Sequence, residues 1–186
     1  MAKRGKDYNR KRKNKQLDEK RKLLKYKSRI LNKIRKYDDP ILSEKCTDVT
    51  DKESIEELMK NLKRVLFNIN TVVGLSAPQI GYTKRVFVIR PKGPKDTITL
   101  LINPQIIEHS EEKENGEEGC LSYPNIFADI ERYKMVVVQY LDEDFELHKK
   151  QVEGLEARIV QHEIDHLNGV CFVGDKWKSL NKKGSS

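Results

Sequence analysis

The segment Gln161-His162-Glu163-Ile164-Asp165-His166-Leu167 carries the strongest chemical signal in the chain. Residues four apart lie on one face of a helix, so His162 and His166 can bind one metal ion together. Glu163, beside the first of them, can hold a water at that metal and serve as general base. The chain has only 4 histidines, and chance seldom sets two of them at this spacing around a glutamate. A catalytic metal of this kind takes three protein ligands and leaves one position for water. Cys120, in Glu118-Gly119-Cys120-Leu121-Ser122, is a candidate third ligand, since a thiolate with two imidazoles makes a Cys-His-His set. Gly119 would let the backbone come close to a metal or ligand. Taken alone, a free cysteine is more commonly a small buried hydrophobe. In Gly74-Leu75-Ser76-Ala77-Pro78-Gln79-Ile80-Gly81, Gln79 offers two N–H donors. Near a metal they would stabilise an oxyanion; by itself the segment reads as an ordinary helix-to-strand loop.

The elements that must position these residues follow from periodicity. Thr50-Asp51-Lys52-Glu53 has the capping-box pattern, with Thr50 as N-cap and Glu53 reaching back. Ile55, Leu58, Met59, Leu62, Val65, Leu66 and Ile69 then recur at three- and four-residue steps. They predict a long amphipathic helix near the N-terminal side that packs on a sheet. Residues 85–89 and 97–102 read as strands, punctuated by Pro91, Gly93 and Pro94. Residues 134–141 and 146–152 read as two more, joined by a turn at Asp142-Glu143-Asp144. After Gly154 the pattern is helical, with Leu155, Ile159, Val160, Ile164 and Leu167 inward and Asn168-Gly169 as the stop. The class is therefore α+β, with mostly antiparallel strands packed around the His-Glu-x-x-His helix.

The chain of 186 residues carries a net charge of +8, and the excess is concentrated before residue 36. Residues 1–36 read as a basic arm, either disordered or helical, suited to an anionic surface such as RNA or a ribosome. A solubilising tail is the bland alternative. Residues 37–175 form the expected catalytic domain and 176–186 a short basic tail. Three cysteines form no disulfide framework, which fits a reducing, cytoplasmic setting. An organelle with its own translation fits less well, because Asp7, Asp18 and Glu19 are out of place in a transit peptide. No apolar run approaches the roughly 20 residues that span a bilayer.

Together the three chemical segments resemble the signature motifs of the peptide deformylase family, in that family's order. Those motifs are a glycine-rich loop ending in glutamine, a Glu-Gly-Cys-Leu-Ser segment and a Gln-His-Glu-x-Asp-His-Leu helix. Tyr37-Asp38-Asp39-Pro40-Ile41-Leu42 resembles the family's opening, and Arg132 matches a basic position seen in many members. The likeness runs from about residue 34 to residue 172. It departs at Val72, where glycine is usual, at Ser76, where alanine is usual, and at Asn125-Ile126-Phe127-Ala128, where many members carry arginine or glycine.

The resemblance implies metal-dependent removal of the formyl group from the N-terminal formylmethionine of nascent proteins. It implies a divalent metal on Cys120, His162 and His166, usually Fe(II), with zinc, nickel or cobalt as chemically suitable substitutes. It makes Glu163 the proton carrier, and Gln79 and the Leu121 N–H the oxyanion donors. Backbone around Val73-Gly74 and Leu121 would pair with the extended peptide, and Val73 and Ile159 would flank the methionine pocket.

Two other readings compete. A zinc peptidase would share the His-Glu-x-x-His helix but usually takes a histidine or acidic third ligand, not Cys120. A non-catalytic RNA-binding protein would need a closed, four-ligand structural site. His109 remains open as a further ligand, and His148 reads as solvated on an exposed return strand.

Overall fold

The computed structural model describes residues 2–92, 97–172 and 174, with the backbone alone for residues 2–12. The chain divides into two compact units, Met1–Lys33 and Ile34–Ser186. The first unit is one helix, α1 (Ala2–Leu31). Its sequence is rich in Lys, Arg and Leu, has no proline, and carries Ile30 as its only β-branched residue, so little opposes a helix. Gly93, Pro94 and the 176–186 tail lie outside the described residues.

In the second unit, α2 (Glu56–Asn68) buries Leu58, Met59, Leu62, Val65 and Leu66 on one face. The expected Thr50 capping box does not form. Asp51 takes the role instead: its Oδ1 accepts the Ser54 N–H at 2.8 Å, and its carbonyl accepts the Ser54 hydroxyl at 2.9 Å. The Thr50 hydroxyl donates to the Asp51 carboxylate. An ionised carboxylate accepts more strongly than a hydroxyl, and the helix begins one short 3-10 turn later, after Glu53–Ile55.

Among the described residues seven strands follow: β1 (Gly74–Ser76), β2 (Val86–Ile89), β3 (Thr99–His109), β4 (Lys113–Cys120), β5 (Tyr123–Tyr133), β6 (Met135–Leu141) and β7 (Leu147–Glu153). Five of them form a sheet ordered β1-β2-β3-β6-β7, and every pair is antiparallel. The other two, β4 and β5, form a separate antiparallel hairpin. Nothing in the apolar pattern announces that hairpin, which is heavily charged.

The last helix among the described residues is α3 (Gly154–Leu167). Its residues Ala157, Ile159, Val160, Ile164 and Leu167 share a core with Phe87, Ile89, Leu101, Val136 and Val138 of the sheet. Side chains alternate along a strand, so Val86 and Val88 face the other way, where α2 contacts β2. Coverage on both faces explains why all four residues of β2 are buried. Leu155 was expected inward but is exposed, because it sits in the first turn of α3, before the helix meets the sheet. His148 was expected to be simply solvated. It stacks on Tyr140, and its Nε2 lies 2.6 Å from the Asp142 carboxylate.

Candidate metal centre

Two elements supply the centre. His162 and His166 come from α3 and project from the same face one turn apart, with ring centroids 5.0 Å apart. Cys120 is the last residue of β4, and Leu121 and Ser122 make the turn into β5, with Cys120 opposite Tyr123. One ligand atom from each of Cys120, His162 and His166 lies within 4.8 Å of the others. The Cys120 sulfur is 3.2 Å from His166 Nε2. Among the described residues no fourth His, Cys, Asp or Glu joins this group. His109 stands apart, stacked on Tyr133 at 3.8 Å between centroids.

Burial alone would raise the pKa of the Cys120 thiol, but the two imidazoles outweigh it and hold the thiol well below its usual value. Burial alone would lower His162; hydrogen bonds to Cys120 and Glu118 outweigh it and hold the imidazole up to about 10. This is the electrostatics of sulfur and imidazole gathered where a cation would sit.

Glu163 is 4 % exposed, and its Oε2 has no hydrogen-bond partner among the described residues. Burial raises its pKa. The Glu163 carboxylate feels the charges of His162, His166 and Cys120, and an unpartnered buried oxygen on it calls for a water or a proton donor there. The chain's donor set therefore fits a three-ligand metal with water at the fourth position.

Gln79 is 3 % exposed and its amide orientation is fixed by its neighbours. Its Oε1 accepts the Ser76 N–H at 2.9 Å and the Ser76 hydroxyl at 3.0 Å. Its Nε2 therefore points the other way and donates towards Cys120 Sγ and Ser122 Oγ, each at 3.3 Å.

Gly74 lies directly over the carboxylate. A Cβ placed there would sit 2.4 Å from Glu163 Oε1 and 2.9 Å from Ile159 Cγ2. The strand β1 is at the sheet's edge. The Val73 carbonyl accepts the Arg90 N–H at 2.8 Å, so Val73 faces β2. By the alternation of an antiparallel pair, the N–H and C=O of Gly74 point off the open edge. Val73 itself packs partly buried against the core that contains Ile159.

Sequence reasoning missed the residues that hold the candidate ligands. Glu118, 6 % exposed, accepts His162 Nδ1 at 2.8 Å. It also accepts Arg132 at 2.9 and 3.0 Å and Arg158 at 2.9 Å. Burial alone would raise its pKa, but His162 and Arg132 outweigh it and press it down to about 2. Arg132 also reaches Asp165 at 2.6 Å. A carboxylate on the second ring nitrogen fixes a metal-binding imidazole's tautomer and orientation. Glu118 was visible only as a letter of its motif. Gly119 makes room for the Phe127 ring, 2.7 Å from where a Cβ would be.

The sequence profile described as Polypeptide deformylase matches residues 31–183. The chain is 43% identical over 147 residues to a peptide deformylase of Pseudothermotoga lettingae, covering 77% of this chain and 82% of that protein. It is 38% identical over 162 residues to that of Christiangramia forsetii, covering 79% and 82%. The crystal structure of peptide deformylase from Thermotoga maritima aligns with a TM-score of 0.70 at 38% identity, covering 75% of this chain and 93% of that one. The structure of the Plasmodium falciparum peptide deformylase aligns with a TM-score of 0.72 at 33% identity, covering 81% and 95%.

Proposed function

Because the chain belongs to the peptide deformylase family, we propose that its three signature segments form a single deformylation centre. The protein is a hydrolase that removes the formyl group from the N-terminal methionine of nascent polypeptides. Water adds to the formyl carbon, the C–N bond breaks, and the products are formate and a free amino terminus.

In this reading Cys120, His162 and His166 hold one divalent cation, Fe(II) by the family resemblance. When bound, such a cation supplies Lewis acidity and brings a water towards ionisation at neutral pH. Glu163 takes the proton of the attacking water and passes it to the leaving nitrogen. The Gln79 Nε2 and the Leu121 N–H face the oxygen on which negative charge develops. The substrate lies extended along the open edge of β1 and pairs with the Gly74 backbone. Val73 and Ile159 flank its methionine side chain.

One observation carries this assignment: three ligand atoms within 4.8 Å, beside a buried carboxylate oxygen that lacks a partner. The test is Glu163→Ala. It should lower formate release from formyl-Met-Ala by on the order of 100-fold or more and leave the bound metal, measured by elemental analysis, unchanged. Retained activity would remove Glu163 from this role.

In our reading residues 1–36 are an accessory arm and residues 37–175 the catalytic domain, acting in the cytoplasm. All three cysteines are free, which suits a reducing compartment. No helix among the described residues is long and apolar enough to cross a membrane. The arm docks on RNA, as at a ribosome. Residues 1–33 hold 15 of the chain's 37 Lys and Arg but only 3 of its 29 Asp and Glu. Lys13, Lys20 and Lys27 fall on one side of α1, while Lys15, Lys22 and Arg29 fall on another. Cations around the circumference suit a groove lined with phosphates; a helix lying on a membrane needs an apolar face. Binding to an RNA stem should weaken steeply with salt, and removing residues 2–31 should abolish it while sparing formate release from a short peptide. Equal binding before and after truncation would refute this role.

A further inference from the structure

Residues 35–37, near the start of the second unit, touch both loops of the centre. The Arg35 N–H donates to the Gln79 carbonyl at 2.8 Å, and the Tyr37 N–H donates to the Ser122 carbonyl at 3.0 Å. Between them, Lys36 Nζ donates to the Leu121 carbonyl at 2.9 Å. The Arg35 guanidinium also lies against Gly81, 2.9 Å from where a Cβ would stand. Neither the reaction nor the ligand set uses these three residues.

The Leu121 carbonyl and the Ser122 N–H are two ends of one planar peptide group. Lys36 holds the oxygen end, and the Cys120 sulfur meets the N–H end at 3.4 Å. A cation on the carbonyl polarises the group and strengthens its N–H as a donor. It also fixes the plane, since rotating that peptide would break both contacts. The Ser122 carbonyl is taken by Tyr37. Of the backbone groups of Leu121 and Ser122, only the Leu121 N–H has no partner among the described residues.

We propose that Lys36 is a positioning residue of the deformylation centre. Its ammonium holds the Leu121–Ser122 peptide so that the Ser122 N–H meets the Cys120 sulfur and the Leu121 N–H stays free for the reacting oxygen. This rests on the reading of Cys120 as ligand and Leu121 as donor given above. A lysine that merely pinned two loops together would affect melting but not the Ser122 amide or the chemical step.

The experiment uses the full chain with Lys36→Met and Lys36→Arg. The Ser122 amide resonance is recorded in 15N-labelled, metal-free protein, and kcat and KM are measured with formyl-Met-Ala. Lys36→Met should move the Ser122 amide upfield and lower kcat on the order of tenfold, as for loss of one charged hydrogen bond. KM should stay within about twofold. Lys36→Arg, which keeps a cationic donor, should recover most of both. If Lys36→Met does not fold, Lys36→Gln carries the same readings. The proposal is overturned if the Ser122 amide or kcat matches the parent, if the loss lies in KM alone, or if arginine restores nothing. Gln79→Ala is assayed alongside. Parent-like activity there with an impaired Lys36→Met sinks the oxyanion reading, while the reverse pattern sinks this proposal alone.

Discussion

Replacing Glu118 tests how the centre is held. The carboxylate accepts four hydrogen bonds, from His162, twice from Arg132, and from Arg158. The side chains of Arg132 and Arg158 are only 11% and 10% exposed. Glu118→Ala leaves the nearly buried Arg158 without a carboxylate among the described residues and Arg132 with Asp165 alone, which costs about 3–5 kcal/mol. For a domain of this size that lowers the melting temperature by roughly 6–20 °C. Glu118→Gln is the more informative change. It keeps the shape and one acceptor oxygen, and Asp165 still holds Arg132, so the stability loss should be smaller, about 2–3 kcal/mol. The amide oxygen will turn to the guanidiniums, which sets its NH2 against His162 Nδ1. Two donors then face each other, and the imidazole loses the acceptor that fixes its tautomer. Metal affinity should fall about 10–100-fold, measured by chelator competition with Co(II) or Zn(II). A Glu118→Gln protein that holds metal as tightly as the parent would refute the orienting role. An unchanged melting temperature for Glu118→Ala would refute the energetic one.

Gly74→Ala places a methyl 2.4 Å from Glu163 Oε1. It should cut kcat on the order of 100-fold with metal content unchanged, and parent-like turnover would show that Glu163 has room to move. Cys46 gives a pH prediction away from the centre. Burial raises its thiol from 9.0 to about 11, so the folded state holds the proton more tightly than the unfolded one. The resulting stability is fully present below pH 9 and is lost as pH rises through about 11. Melting curves should show Cys46→Ala to be less base-sensitive than the parent. In the native protein at about pH 8, iodoacetamide should leave Cys46 unmodified by mass spectrometry, because the thiolate is the reactive form.

The candidate ligands are more legible in the sequence than the scaffold that aligns them. His162 and His166 are legible because one turn of one helix sets their separation, so spacing alone implies proximity. The stripe from Ile55 to Ile69 is legible because a helix with one buried face must repeat near 3.6 residues. The hairpin of β4 and β5 is not legible in that way. Lys113, Glu114, Glu117, Asp129 and Glu131 give it the pattern of a solvated loop, and its strands bury few side chains. Cross-strand charge, such as Lys113 with Glu131 at 3.1 Å, stands where apolar alternation would have signalled a strand. The capping error near Thr50 is of another kind. Thr50 and Asp51 are both good N-caps, and only the backbone path decides between them.

What fixes the hairpin also explains why the centre depends on docking. A lone two-stranded ribbon is marginally stable. Here α3 supplies the missing support. Arg158 donates to the carbonyls of Glu114, Gly116 and Ile130 at 2.8–3.2 Å. Gln161 exchanges bonds with both the N–H and the C=O of Tyr133, at 3.1 and 2.9 Å. Gly116 lets the guanidinium lie on the strand, since a Cβ there would be 2.8 Å from Arg158 Cζ. Cys120 is thus positioned by the same helix that carries both imidazoles, and the candidate ligand set is assembled by one interface. The groups that build this interface are buried polar side chains aimed at backbone. Hydrophobic periodicity does not register them, because their partners lie about 30 to 44 residues away and only the folded chain brings them together.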